Sequence, residues 1–202
     1  MFVVKLLGYE IRTYRGDVMA IYDPENYENL LAEAGAFHGD ICGGIRTGTR
    51  MTMCGMRLLG IDDPKGEDSK KLLVFVEIDR CVTDAIMALT GCRPGRRSMK
   101  VKDYGKMAAT FVNLESGKAV RIVSARKRDV EVNHATASDE ELFRITPVTV
   151  SLKPEDLPGK PVRDCLCDCC GETVLDGREI ASAGKTCCRP CFESADYYSI
   201  HV

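Results

Sequence analysis

Near the C-terminus, Cys167-x-x-Cys170-Gly171 and Cys188-x-x-Cys191 are separated by seventeen residues. Two residues between cysteines let a tight turn aim both sulfurs at one ion. Two such pairs supply the four thiolates of a tetrahedral Zn2+ site. Gly171, directly after the first pair, permits the positive φ that such a turn uses. About 40 residues cannot bury a sufficient core alone, so the metal would supply folding free energy. Four cysteines saturate the ion, which makes the site structural rather than catalytic. The expectation is a small zinc finger with its tail over residues 163–202. Cys165, Cys169 and Cys187 are left over, because pairing through them gives spacings of one or three.

The thiol count also bears on compartment. Of eleven cysteines in 202 residues, seven fall between Cys165 and Cys191, and Cys42, Cys54, Cys81 and Cys92 are scattered before them. A secreted disulfide scaffold would be short and would spread its cysteines throughout. An odd count with a C-terminal cluster favours reduced thiols and metal. Met1 to Leu7 is apolar but has neither a basic flank nor a small-residue cleavage site. The reading is therefore cytoplasmic, with no signal peptide. No apolar run approaches the ~20 residues of a membrane span. A net charge of -2 gives no global field toward nucleic acid or membrane. The finger is poor in Lys, Arg and aromatics, which further disfavours nucleic acid.

Ahead of the finger, an apolar share of 45% supports a core. Asp23-Pro24-Glu25 predicts a helix start, with the helix running to about Ala34 and ending at Gly35. A longer, glycine-rich helix is expected from His38 to Leu59, stopped by Gly60. Lys71 to Ile78 reads as a buried strand. Asp79 is the expected cap of a helix from Arg80 to Thr90, closed by Gly91. Met99 to Lys102, Met107 to Val112 and Ala119 to Ala125 read as three strands, the last two an antiparallel hairpin around Leu114 to Lys118. Ser138 to Glu141 is a capping box opening a short helix that Pro147 ends, and Val148 to Leu152 is a candidate strand. This order predicts an α+β fold, helices on one face of a mixed or antiparallel sheet. The core domain is placed at 1–152, and the Pro/Gly-rich stretch 153–162 is the linker to the finger.

A second constellation lies in the core domain. His38 and Cys42 are four apart, which on one helix puts both side chains on one face a turn apart. That is chelating geometry, and it is also compatible with a hydrogen-bonded core His beside a small apolar Cys. Cys81 opens the helix after the strongest strand, where the helix N-terminus favours a thiolate. Asp84 and Asp40 are the nearby acids, as ligands or as partners of ligands. Cys92 lies eleven residues past Cys81, about 16 Å along a helix, too far to share an ion with it. Residues 93–106 carry six basic residues and one acid. Arg93, Arg96, Arg97 and Lys106 are candidate anion binders on what is otherwise a solvated face.

Together, Phe37-His38-Gly39-x-x-Cys42, Cys81-x-x-Asp84-Ala85-Ile86, Thr90-Gly91-Cys92-x-Pro94-Gly95 and Asp103-Tyr104-Gly105-Lys106 resemble the family named after the E subunit of formylmethanofuran dehydrogenase. The C-terminal cysteine pairs look like the zinc finger that some members append. The resemblance implies an α+β core with a bound metal and a homodimer. The sequence departs from the family pattern at Asp40, where His is frequent, and at Gly43, where Pro is frequent. The first departure bears on the ligand set and the second on the turn.

Three functions follow as expectations. The first is a zinc-binding accessory or regulatory protein in one-carbon or molybdenum/tungsten enzyme chemistry, with an enzyme-complex partner. The second is a metalloenzyme whose core zinc, on His38, Cys42 and Cys81, keeps an open position and acts on a small anionic substrate. The third, a zinc-ribbon nucleic-acid binder, is the one the charge disfavours.

Overall fold

A computed structural model describes residues 3–6, 9–12, 21–125, 132–195 and 197–198. It divides into two compact units, Met1–Val150 and Ser151–Val202. In the first, β1 (Val3–Leu6) and β2 (Tyr9–Arg12) form an antiparallel ladder. Then come α1 (Tyr27–His38), α2 (Gly43–Leu59), β3 (Leu72–Val76), α3 (Cys81–Thr90), β4 (Met99–Val101), β5 (Ala108–Asn113), β6 (Ala119–Ser124), α4 (Asp139–Leu142) and β7 (Phe143–Pro147). Strands β3 to β7 make a five-stranded sheet in the order β4-β3-β5-β6-β7. The β3–β4 pair is parallel and the other pairs are antiparallel, so the fold is α+β on a mixed sheet.

Alternation in the strands builds the core. Leu72, Val74 and Val76 of β3, Ala109 and Phe111 of β5, and Val120 and Ile122 of β6 meet the helices in one apolar cluster. Across that layer, α2 is buried along most of its length although it is rich in Thr. Its hydroxyls are satisfied internally: Thr47, Thr49 and Thr52 donate to the carbonyls of Gly43, Ile45 and Gly48. Arg50, 3% exposed, is paired with Asp139 at 3.0 Å, as a buried charge requires.

Glycine sets how closely the layers approach. A Cβ on Gly55 would stand 2.8 Å from the Phe111 ring, and one on Gly48 would stand 2.7 Å from Ala85 Cβ and 3.0 Å from Val82 Cα. The glycines of α2 therefore seat it on both the sheet and α3.

Several elements differ from the sequence reading. Gly35 does not end the first helix, which runs on to His38. There the absent side chain leaves room for Ile41, whose Cγ1 would lie 2.6 Å from a Cβ. The expected helix from His38 to Leu59 is interrupted: Gly39 takes the left-handed conformation (φ 97) and α2 starts only at Gly43. The N-cap of α3 is Arg80, not Asp79. The Ser138 capping box is present, but its helix lasts one turn before the chain extends into β7. Pro147 is the last residue of that strand rather than a helix stop, and no strand forms over Val148 to Leu152. Among the described residues, no helix is long and apolar enough to cross a membrane.

The second unit holds two small antiparallel ladders and a short helix: β8 (Asp164–Leu166) with β9 (Thr173–Leu175), β10 (Ile180–Ser182) with β11 (Lys185–Cys187), and α5 (Arg189–Glu193). Its buried apolar cluster is essentially cysteine, with Cys167, Cys187 and Cys188 joined by Val174.

Candidate metal centres

In the first unit, three helix ends meet. His38 is the last residue of α1, Cys42 is the N-cap of α2 and Cys81 is the first residue of α3. One ligand atom from each lies within 4.8 Å of the others. These are the three residues that the spacing singles out, but the geometry that unites them is different. His38 and Cys42 do not share a helix face; the left-handed turn at Gly39 brings the chain back. Gly44 makes the third approach possible, because a Cβ there would stand 2.8 Å from Cys81 Cβ and about as close to both sulfurs as contact permits, 3.5 and 3.6 Å.

The electrostatics suit a cation. Both thiols sit at helix N-termini, whose dipoles favour the thiolate. Burial alone would raise the Cys42 thiol, but the amides of Ile45 and Gly44 and the thiol of Cys81 hydrogen-bond to it and hold it below the ordinary thiol range. Donating to Cys42 holds Cys81 above that range. Of the two sulfurs, Cys42 is therefore the one that gives up its proton more readily. His38 Nδ1 donates to Asp84 Oδ2 at 2.7 Å, which raises the imidazole above its usual value. In the neutral ring that bond keeps the proton on Nδ1, so that Nε2 is the nitrogen with a lone pair to offer. Asp84 thus orients the imidazole and is not itself one of the converging group.

The other candidates fall elsewhere. Asp40 is exposed, and its carboxylate accepts from the Ile41 amide at 2.7 Å within its own turn. Arg93, Arg96 and Arg97 follow the C-terminus of α3, whose ten residues separate them from Cys81 by about 15 Å. Lys106 lies at the Cys81 end, because its amide and that of Tyr104 donate to the Glu77 carbonyl just before α3. The basic stretch therefore does not form one patch over the cluster. Two residues that the motifs do not single out also matter. Gly44 gives the closest approach at the site, and His134 is hydrogen-bonded to Thr47 at 3.1 Å.

In the second unit, Cys167, Cys170, Cys188 and Cys191 bring their sulfurs within 4.8 Å of one another. Tetrahedral Zn–S bonds of ~2.3 Å place sulfurs about 3.8 Å apart, and Cys170 and Cys188 stand at 3.8 Å. Gly171, at φ 73, turns the first knuckle, its amide donating to the Cys167 carbonyl at 2.9 Å. The amides of Cys188, Cys170 and Cys169 converge on Cys167 and pull its thiol down to about 6. This donor set can hold a metal ion and fits zinc.

Residues 37–146 match the family described as "FmdE, Molybdenum formylmethanofuran dehydrogenase operon". A probable S-adenosyl-L-methionine-binding protein of Archaeoglobus fulgidus is 37% identical over 94 residues, covering 46% of this chain and 26% of that protein. The chain thus spans about a quarter of the length of that curated relative. The fold is similar to the crystal structure of an FmdE-like protein from Syntrophus aciditrophicus, FmdE there denoting the E subunit of a tungsten formylmethanofuran dehydrogenase. That similarity has a TM-score of 0.53 at 18% identity, over 98% of this chain and all of the other.

Proposed function

This chain belongs to the FmdE family, and from that premise we propose that it is a zinc-binding accessory protein of one-carbon or molybdenum/tungsten enzyme chemistry. In this reading His38, Cys42 and Cys81 hold one zinc in the core unit, and Cys167, Cys170, Cys188 and Cys191 hold a structural zinc in the finger. The observation that carries it is the convergence of an imidazole and two thiols from three separate helix ends, with Asp84 orienting the imidazole. A half-buried cluster of this composition matches zinc's preference for N and S donors. A cytoplasmic homodimer, joined through an edge strand of the sheet, β4 or β7, and working beside an enzyme-complex partner, belongs to the same reading.

A second reading is supported by the number of donors. Three protein ligands leave a fourth position, where a zinc ion lowers the pKa of bound water to near ~7. Lys106 at the same end of the sheet would favour a small anionic substrate in a metalloenzyme.

The test is metal content per chain. Full-length protein is expected to retain about two zinc ions, and residues 1–150 alone about one. The Cys42→Ala/Cys81→Ala double variant of 1–150 is expected to retain none. Equal zinc in the folded double variant would remove the core site and both readings built on it. Displacement of a core-site water by small anions, read by spectroscopy of the Co2+-substituted protein, would favour the metalloenzyme. A coordinatively saturated cobalt spectrum would favour the accessory role.

A further inference from the structure

The finger holds three cysteines that the four-sulfur group does not use, and two of them face each other. Cys169 Sγ lies 3.2 Å from Cys187 Sγ, inside ordinary sulfur contact. Neighbouring residues hold this pair in place. The Asp168 amide donates to the Thr186 carbonyl at 2.8 Å, and the Thr186 amide donates back to the Asp168 carboxylate at 2.6 Å. Each cysteine is the next residue along from one partner of this reciprocal clamp, so the first knuckle and β11 present their sulfurs to one another. Cys169 is exposed, whereas Cys187 is buried at 7%. The third spare thiol, Cys165, pairs along the β8–β9 ladder with Val174 and takes no part.

A pair of sulfurs is too few to hold zinc, and neither belongs to a converging group of three or more among the described residues. Two thiols at contact distance are suited instead to a disulfide, which needs Cβ atoms about 4 Å apart and a small closing movement. We propose that Cys169 and Cys187 are a reversible dithiol/disulfide site that cross-braces the finger without consuming any of the four metal-binding cysteines.

The reagent is a small-molecule disulfide. The exposed Cys169 sulfur attacks one sulfur of that reagent, loses its proton, and forms a mixed disulfide. The other half of the reagent departs as a thiol with that proton. Cys187, buried against the adduct and out of reach of bulk reagent, then attacks Cys169 Sγ. The Cys169–Cys187 bond forms, the second reagent thiol leaves with the second proton, and two electrons have passed from the protein to the reagent. The division of exposure assigns the roles: Cys169 is the entry thiol and Cys187 the resolving thiol.

The experiment uses full-length, zinc-loaded protein and oxidised glutathione. After denaturation and chelation, free thiols should fall from the eleven of the sequence by two. Peptide mapping should join Cys169 to Cys187, zinc content should be unchanged, and dithiothreitol should restore both thiols. Cys187→Ser should instead accumulate a stable glutathione adduct on Cys169, Cys169→Ser should form neither product, and Cys165→Ser should behave as wild type. Three results would overturn the proposal: cross-links through Cys167, Cys170, Cys188 or Cys191 with zinc release, an unresolved adduct on Cys169 in the wild type, or no thiol lost in excess reagent. The zinc assay reports on the four-cysteine centre separately, so failure of one does not imitate failure of the other.

Discussion

Gly48→Ala separates two opposed effects at the crossing that seats Cys42 against Cys81. Gly48 is buried in the middle of α2. Helix propensity favours Ala over Gly by up to ~1 kcal/mol, and burying a methyl group adds about 0.8 kcal/mol. With open space at this position, the variant would gain nearly 2 kcal/mol by these terms. The space is closed, however. The new carbon would lie 2.7 Å from Ala85 Cβ, 3.0 Å from Val82 Cα and 3.1 Å from the Val82 carbonyl oxygen. Ordinary carbon contacts are ~3.5–4.0 Å, so α3 must retreat by about 1 Å. Two of these three neighbours are backbone and cannot rotate away, and both residues are fully buried. Overpacking of this kind costs about 1–3 kcal/mol after the methyl's own gain, which outweighs the propensity term. At the middle of that range, about 2 kcal/mol against a propensity gain of up to ~1 kcal/mol, the expected outcome is a loss of about 1 kcal/mol, rising to about 3 kcal/mol or more for Gly48→Val. With no Trp in the chain, the assay is urea unfolding of the zinc-loaded protein followed by far-UV circular dichroism, to which α1, α2 and α3 contribute most. A Gly48→Ala midpoint above wild type would show that propensity wins and that α2 and α3 are not in tight contact.

Three further perturbations test other parts of the molecule. Asp84→Asn removes the charge that orients His38 and should weaken zinc binding in the core unit about 10–100-fold, measured by competition with a chromophoric chelator, while the fold stays intact. Cys188→Ser should make residues 163–195 protease-sensitive and leave residues 21–125 resistant, as read by mass spectrometry of a limited digest. Arg121 grips the buried Glu77 at 2.6 and 2.7 Å, and this bond holds the carboxyl below its ordinary value of 4.5. The folded value is depressed, so the stabilisation is present above pH 4.5 and is lost as pH falls through the depressed value. Arg121→Met should cost about 2–3 kcal/mol near neutral pH, less than for a fully buried pair because Arg121 is partly exposed. It should also flatten the acid limb of stability against pH, measured by urea midpoints; an unchanged limb would refute the assignment.

Local chemistry made much of the fold legible. The unbroken apolar run over Leu72–Val76, the turn between β5 and β6 and the closing Gly91 of α3 each carry a signal that the folded chain obeys. The missed elements are those whose local signal competes with a tertiary one. Ser138 and Glu141 form both bonds of a capping box, which announces a helix. That helix stops after one turn because Phe143 and Ile145 are drawn into a ladder against Ser124 and Ile122. Pro147 looks like a helix breaker, yet it ends a strand at the sheet edge, where a missing amide costs no ladder bond. Glycine was ambiguous in the same way. Gly35 and Gly39 are equal as residues, yet the first stays helical and leaves room for Ile41 while the second takes the left-handed conformation that ends α1.

In the core cluster, the residues that spacing groups together do converge, but by a geometry other than the one that spacing predicts. Spacing of four on one helix and spacing of four around a helix–turn–helix corner both bring His38 near Cys42, because a single left-handed residue reverses the chain over about the length of one helical turn. The two geometries differ in what they make available. On a continuous helix, Cys42 would spend its amide and carbonyl inside the ladder and its sulfur would gain nothing from the helix dipole. As N-cap it accepts the Ile45 amide at 3.4 Å, faces the positive end of α2 and stands opposite Cys81 at the positive end of α3. Gly44 is what allows this, whereas Gly43, where the family pattern more often has Pro, occupies a helix-opening position that Pro also suits. Gly43 opens α2, and Gly44 admits Cys81 at a distance no side chain would tolerate. The departure at Gly43 therefore lies at the first residue of α2, past the turn that Gly39 makes. The departure at Asp40 lies on the exposed outer side of the same corner, its carboxylate satisfied by the Ile41 amide. The converging group thus includes neither Asp40 nor a second histidine, and its three side chains are positioned by helix ends rather than by one helix face.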